Sequence, residues 1–228
     1  MNDTIAVKKP FDAHVHFRQG AMLRAVVPLT ASNWSRAIVM PNTEPPIETV
    51  EQAAAYKKEI LRAVPRGNHF EPLATFYLTK NLTPEEIEKG VEGKICKVYA
   101  VKSYPYGATT NSQWGYRSIL EAKEVLKKME ELGMPLLLHG EVHVNEAGEE
   151  EDPYESERLF IQDILPRLLD EFPKLKVSLE HLSTATAADF IEKNGEEGRL
   201  VATITPHHLL YAREEAEPHV LLRCKPRN

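Results

Sequence analysis

Four histidines and a lysine stand where apolar runs give way to loops. They are His14 and His16 in FDAHVHF, Lys102 in AVKSYP, His139 in LLLHGE and His181 in SLEHLS. Side chains two residues apart on a strand share a face, so His14 and His16 form either a two-toothed metal clip or a packed pair. One histidine of this kind is ordinarily a core or surface residue. Four of them, ending separate runs and joined by a lysine, point to a metal centre. Imidazole donors favour zinc, with Mn, Co, Ni or Fe as alternatives. A protonated Lys102 would repel a metal. An amine buried beside cations loses its proton more readily, and the neutral amine can add CO2. The resulting carbamate is a carboxylate in effect, and its two oxygens can bridge two ions. Metals about 3.5–4 Å apart then make water nucleophilic at neutral pH. The plain alternative for Lys102 is an ion pair with an acid. The other histidines, His69, His143, His207, His208 and His219, read as surface or supporting residues; His207 or His208 is close enough in sequence to a strand end to touch the site.

The elements that must position these groups are legible as apolar runs. Strands are expected at 11–17, 37–41, 73–78, 97–104, 135–141, 176–183 and 200–206. Most are continuous rather than alternating, which suits parallel strands covered on both faces. Helical stripes lie between them. The segment 48–64 places Ala53, Tyr56, Ile60 and Val64 on one face, and 116–133 places Ile119, Ala122, Leu126 and Met129, with Gly133 as C-cap. The segment 156–172 is helical but is interrupted by Pro166. The segment 183–195 opens on capping hydroxyls and closes on Gly195. The acidic stretch 149–157 reads as a solvated loop. Strands alternating with helices mean an α/β fold with a parallel sheet. No Gly-rich nucleotide turn is present. Polar residues at several strand ends fit a (β/α)8 TIM barrel, whose site lies on its C-terminal face.

Bulk properties narrow the function classes. The 228 residues are 42% hydrophobic and 27% charged, with a net charge of −6. That is a globular composition, and it argues against a nucleic-acid-tracking surface. No 18-residue apolar run and no signal-like segment are present, so the expectation is a cytoplasmic protein with no membrane partner. Cys96 and Cys224 are too few and too distant for a disulfide framework and read as reduced structural thiols.

Taken together, DAHVHFRQG, VMPNTEPPI, VKSYPYGATTNSQWG, LLLHGEV, LEHLST and ATITPHHLL resemble the dihydroorotases of the shorter bacterial and plant type, in the amidohydrolase superfamily. The resemblance spans essentially the whole chain. HxH alone is common to the superfamily, whereas MPNTEPP, YPYGATTNS and HGEV are specific to this branch. It implies a metal-dependent barrel that cyclises N-carbamoyl-L-aspartate reversibly to L-dihydroorotate in pyrimidine biosynthesis. It implies two divalent ions, zinc foremost, and a CO2-derived carbamate on Lys102. His14 and His16 become ligands of the more buried ion, and His139 and His181 ligands of the second. Arg18 and Asn42 correspond to the pair that grips the substrate α-carboxylate. Thr109 and Thr110 match a loop that closes over substrate, and Lys225, within the Cys224–Pro226 segment, a stretch that touches the ring. The partners implied are the small-molecule substrate and a second copy of the chain.

Only seven strands are legible, where a closed barrel has eight. The expectation is therefore a single barrel domain over 1–228 that is cut short. The family's general acid–base, an aspartate at the end of the eighth strand, has no counterpart here, since Asp170 and Asp189 fall in helices or loops. Little turnover is expected from the chain as printed. The competing readings are a related cyclic amidase of the hydantoinase or allantoinase kind, and a non-catalytic metal-binding homologue.

Overall fold

The computed structural model describes residues 6–8, 10–145, 147–196, 198–212 and 215. Seven strands form one parallel sheet in sequence order: β1 (Phe11–Val15), β2 (Arg36–Val39), β3 (Glu71–Tyr77), β4 (Val98–Ser103), β5 (Leu136–Leu138), β6 (Val177–Leu179) and β7 (Leu200–Ala202). Each pairs in parallel with the next. This is the strand order of a (β/α)8 barrel, reached by a helical or looped crossover after every strand. Among the described residues, β1 and β7 have one strand neighbour each.

The crossovers are α1 (Gly20–Asn33), α2 (Val50–Ala63), α3 (Pro84–Glu92), α4 (Lys123–Leu132), α5 (Ser156–Leu159), α6 (Leu165–Glu171), α7 (Ala185–Asn194) and α8 (Pro206–Leu210). Local chemistry sets their ends. Thr49 caps α2 in a reciprocal box with Gln52, the hydroxyl accepting from Gln52 N at 3.2 Å and the amide oxygen from Thr49 N at 2.9 Å. Gly133 ends α4 at φ 66°, a conformation that costs glycine nothing. Pro166 sits in the first turn of α6, directly after a π-helical turn over Phe160–Ile164 that separates α5 from α6. A proline cannot donate to the preceding turn, so the split falls where the sequence requires it.

Strand alternation divides the apolar residues into two layers. Val98, Val101, Leu136, Leu138, Val177 and Leu179 face the helices in one large core with Leu126, Met129, Leu165 and Leu168. Met40, Ala100 and Leu137 form a small separate cluster with Ile38. That cluster floors the inside of the sheet, and the next inward position along each strand belongs to the site.

The structure departs from the sequence-based expectations in several places. Most strands are shorter than the apolar runs, because the runs continue into the loops that carry the site, whereas β3 starts two residues before its run, at Glu71. Helices α1 and α3 lie where none was read. Helix α1 contains Pro28, which conceals it, and α3 opens on Thr83–Pro84 and is only nine residues long. The stretch 149–157 is not wholly solvated. Glu157 is buried and accepts from both Ser183 N (3.1 Å) and Ser183 Oγ (3.2 Å), tying the start of α5 to the loop after β6.

Candidate metal centre

Every expected ligand lies within one cluster on the C-terminal side of the sheet. The ring centroids of His14 and His16 are 5.1 Å apart, those of His14 and His181 5.3 Å, and those of His139 and His181 4.6 Å. Lys102 is fully buried on β4, two residues beyond Ala100 on the same inward face. Its Nζ lies 4.7 Å from the Tyr104 ring centroid and donates to Ser103 O at 3.3 Å.

His139, Glu180 and His181 lie just past the formal ends of β5 and β6, yet they are not free loop residues. The ladder continues as single bonds, His139 N to Ser103 O at 3.1 Å and Glu180 N to Leu138 O at 2.9 Å. His181 N donates to Thr203 Oγ1 at 2.9 Å. Its φ is 43°, in the left-handed region that non-glycine residues seldom adopt. Ordinary alternation would turn His181 outward after Glu180. The left-handed turn instead leaves both residues buried at the cluster.

Each of three imidazoles is held from behind. His14 Nδ1 lies 2.8 Å from Glu180 Oε2, and Glu180 Oε1 accepts from Ser178 Oγ. His16 Nδ1 lies 2.9 Å from Asn42 Oδ1, and the Asn42 amide nitrogen donates to Thr110 O at 2.8 Å. His139 Nε2 lies 3.0 Å from Glu141 Oε1, and the other Glu141 oxygen accepts from Ser156 Oγ at 3.4 Å. Outer partners of this kind fix the tautomer and the aim of a ligand.

The His14–His16 pair tests the fit of a metal. A carboxylate only accepts, so His14 carries a proton on Nδ1. The Thr110 carbonyl orients the Asn42 amide, so His16 also donates from Nδ1. The two Nε2 atoms then face each other 3.1 Å apart, within hydrogen-bonding reach. Burial, with the neighbouring His14, Arg18 and Lys102 charges, holds the His16 pKa well below 6.5 and keeps that ring neutral. Burial with His139, Lys102, His14 and His208 does the same for His181. Two ring nitrogens this close are held by a shared proton or by a cation between them, and a cluster of four imidazoles suits the cation. The spacing is close to the ligand–ligand edge of a tetrahedral ion with Zn–N bonds of about 2.0–2.1 Å. Among the described residues, no three His, Cys, Asp or Glu side chains already form an ion site by themselves. Lys102 is a further inward-facing group, and as a protonated amine it would repel an ion.

The substrate-side residues are placed as follows. Arg18 also has a left-handed backbone, at φ 58°, and its carbonyl accepts from Tyr56 Oη at 2.8 Å. It reaches the site through this turn and not through strand alternation, which ends with β1 at Val15. Its Nη1 is buried without a hydrogen-bond partner, as an anion-binding guanidinium would be. Asn42 is committed to His16 and to the 109–111 loop; Asn111 Nδ2 returns a bond to Asn42 O at 3.0 Å. Thr109 closes a small turn with Ser112, and Thr110 is exposed. His208 is buried, with Nδ1 2.7 Å from Thr205 Oγ1, and lies near enough to act on His181. Lys225, with Cys224 and Pro226, lies outside the described residues. A cavity of about 690 Å³, bordered by Ser103, Glu121, Phe160 and Arg167, reaches the cluster at His139 and Glu141.

Residues 10–219 match the amidohydrolase family. The chain belongs to the amidohydrolase family. It is 49% identical over 213 residues to a dihydroorotase of Halorhodospira halophila, covering 93% of this chain and 59% of that protein. A crystal structure of dihydroorotase from Campylobacter jejuni superposes with a TM-score of 0.80 at 32% identity, over 92% of this chain and 58% of that one. The dihydroorotase of Saccharomyces cerevisiae in complex with 5-fluoroorotic acid gives 0.79 at 34% identity, over 90% and 58%. The chain thus spans somewhat under two thirds of the length of these relatives. Within the family the metal-ligand reading of the strand ends has a natural place, and Glu180 and Glu141 join it as residues that sequence reasoning had missed.

Proposed function

We propose that this chain carries the metal centre and the carboxylate grip of a dihydroorotase, which interconverts N-carbamoyl-L-aspartate and L-dihydroorotate. One observation carries the reading: four imidazoles and a buried lysine converge beside the half-buried Arg18 guanidinium, whose buried Nη1 has no hydrogen-bond partner. The relatives named above support the choice of substrate. His14, His16, His139 and His181 would hold two divalent ions, zinc foremost, with Lys102 bridging them as a carbamate. When bound, the ions supply Lewis acidity toward the amide carbonyl and a nucleophilic water at neutral pH.

The chain's own residues do the rest. Arg18 binds the substrate carboxylate and fixes the ring against the cluster. Asn42 orients His16 and couples it to the Thr109–Thr110 loop, which covers the site. Lys225 is a candidate ring contact. Assembly as a cytoplasmic homodimer, with the barrel as a single domain, belongs to the same proposal.

Ring opening of L-dihydroorotate, followed by absorbance beside hydantoin as the competing cyclic amide, tests the reading. Turnover is expected to be low for want of the family's general acid–base, and what there is should favour dihydroorotate and be lost to a chelator. Arg18→Gln should raise KM strongly, by roughly 10- to 200-fold for a lost charged contact of about 1.5–3 kcal/mol. Preference for hydantoin, or activity that survives chelation, would contradict it.

A further inference from the structure

We infer that Glu180 is the positioning residue of the His14–His16 half of the site, a role that rests on the metal reading above. Glu180 is 1% exposed and lies just past the end of β6, from where it reaches His14 on β1. A buried carboxylate is costly unless it is hydrogen-bonded and compensated. Its two oxygens meet Ser178 Oγ and His14 Nδ1. The Ser178 hydroxyl holds the carboxylate in place, and the carboxylate holds the proton of His14 on Nδ1. That aims Nε2 of His14 at Nε2 of His16, only 3.1 Å away, and frees it to ligate. The negative charge also stabilises whatever cation sits between those two atoms. Glu180 faces inward by alternation with Ser178, and His181 joins it only because His181 turns left-handed. One short segment at the end of β6 thus supplies a candidate ligand for one ion and the orienting carboxylate for the other.

Glu180→Gln keeps the shape and removes the charge. In this variant the affinity for cobalt, measured by competition with a chromophoric chelator, should fall roughly 10- to 100-fold. The visible absorption of the bound cobalt should change as well, while the metal-free melting temperature stays close to that of the parent. Ser178→Ala, which only frees the carboxylate, should weaken cobalt binding in the same direction by less; it decides the matter if Glu180→Gln does not fold. Nitrogen NMR of the metal-free parent should find the His14 proton on Nδ1. Unchanged cobalt affinity and absorption in a folded variant would overturn the inference and leave the metal reading intact. A parent chain that takes up no cobalt would overturn the metal reading, and this inference with it.

Discussion

At the scale of single residues, the site is a cluster of imidazoles, two of them aimed by fixed hydrogen-bond partners. His16 and His181 both have pKa values pushed well below 6.5, chiefly by burial. The unfolded chain takes up protons on these rings as pH falls below about 6.5, whereas the folded chain resists until lower pH. Stability from the two groups is therefore complete above 6.5 and drains away as pH falls toward the folded values. Urea midpoints of the metal-free protein should decline between pH 7 and 5, at up to about 1.4 kcal/mol per pH unit for each ring. His181→Asn should flatten the decline, and a variant with the parent's slope would contradict this assignment. The clustered histidines and Lys102 were legible, because polar residues closing apolar runs stand out. Glu180 was not, since alternation lets only one of Glu180 and His181 face inward, and the left-handed φ of His181 that admits both is invisible to any spacing rule.

At the scale of elements, strand ends and tight contacts place the groups. Gly140 separates His139 from Glu141. A Cβ there would lie 2.4 Å from Leu179 Cδ1 and 3.3 Å from Phe160. Leu179 is fully buried in the outer core and has little room to yield. Gly140→Ala should cost about 1–3 kcal/mol by overpacking, read as a lower urea midpoint, and should weaken metal binding by shifting His139. An unchanged midpoint would show that the β5–β6 contact is softer than its geometry suggests. The seven strands were readable as apolar runs, and the Pro166 break fell where a proline forces it. Helices α1 and α3 escaped because Pro28 masks the first and the second is short, held by its Thr83 cap and packed at Gly90 against Phe76 and Val98.

At the scale of the whole molecule, the sheet acts as a frame that brings β1, β4, β5 and β6 to one rim. The His14–Glu180 contact joins β1 to β6 through the interior, so a cation at the cluster would tie distant strands together. Zinc at a hundredfold excess over its Kd should stabilise the fold by about 2.7 kcal/mol. For a chain of this size that raises Tm by roughly 5–10 °C, measurable by differential scanning fluorimetry, and replacing His14 and His16 should abolish the rise. The parallel order followed from the alternation of runs and helices, whereas the short strands and their single-bond extensions belong to tertiary structure alone.

The most direct measurement is the metal content of the purified chain, taken with its intact mass under gentle conditions. We expect roughly two divalent ions per chain and an added CO2 on Lys102, both lost when His14 and His16 are replaced by alanine. A chain without bound metal, or one whose metal content survives that replacement, would contradict the centre described above.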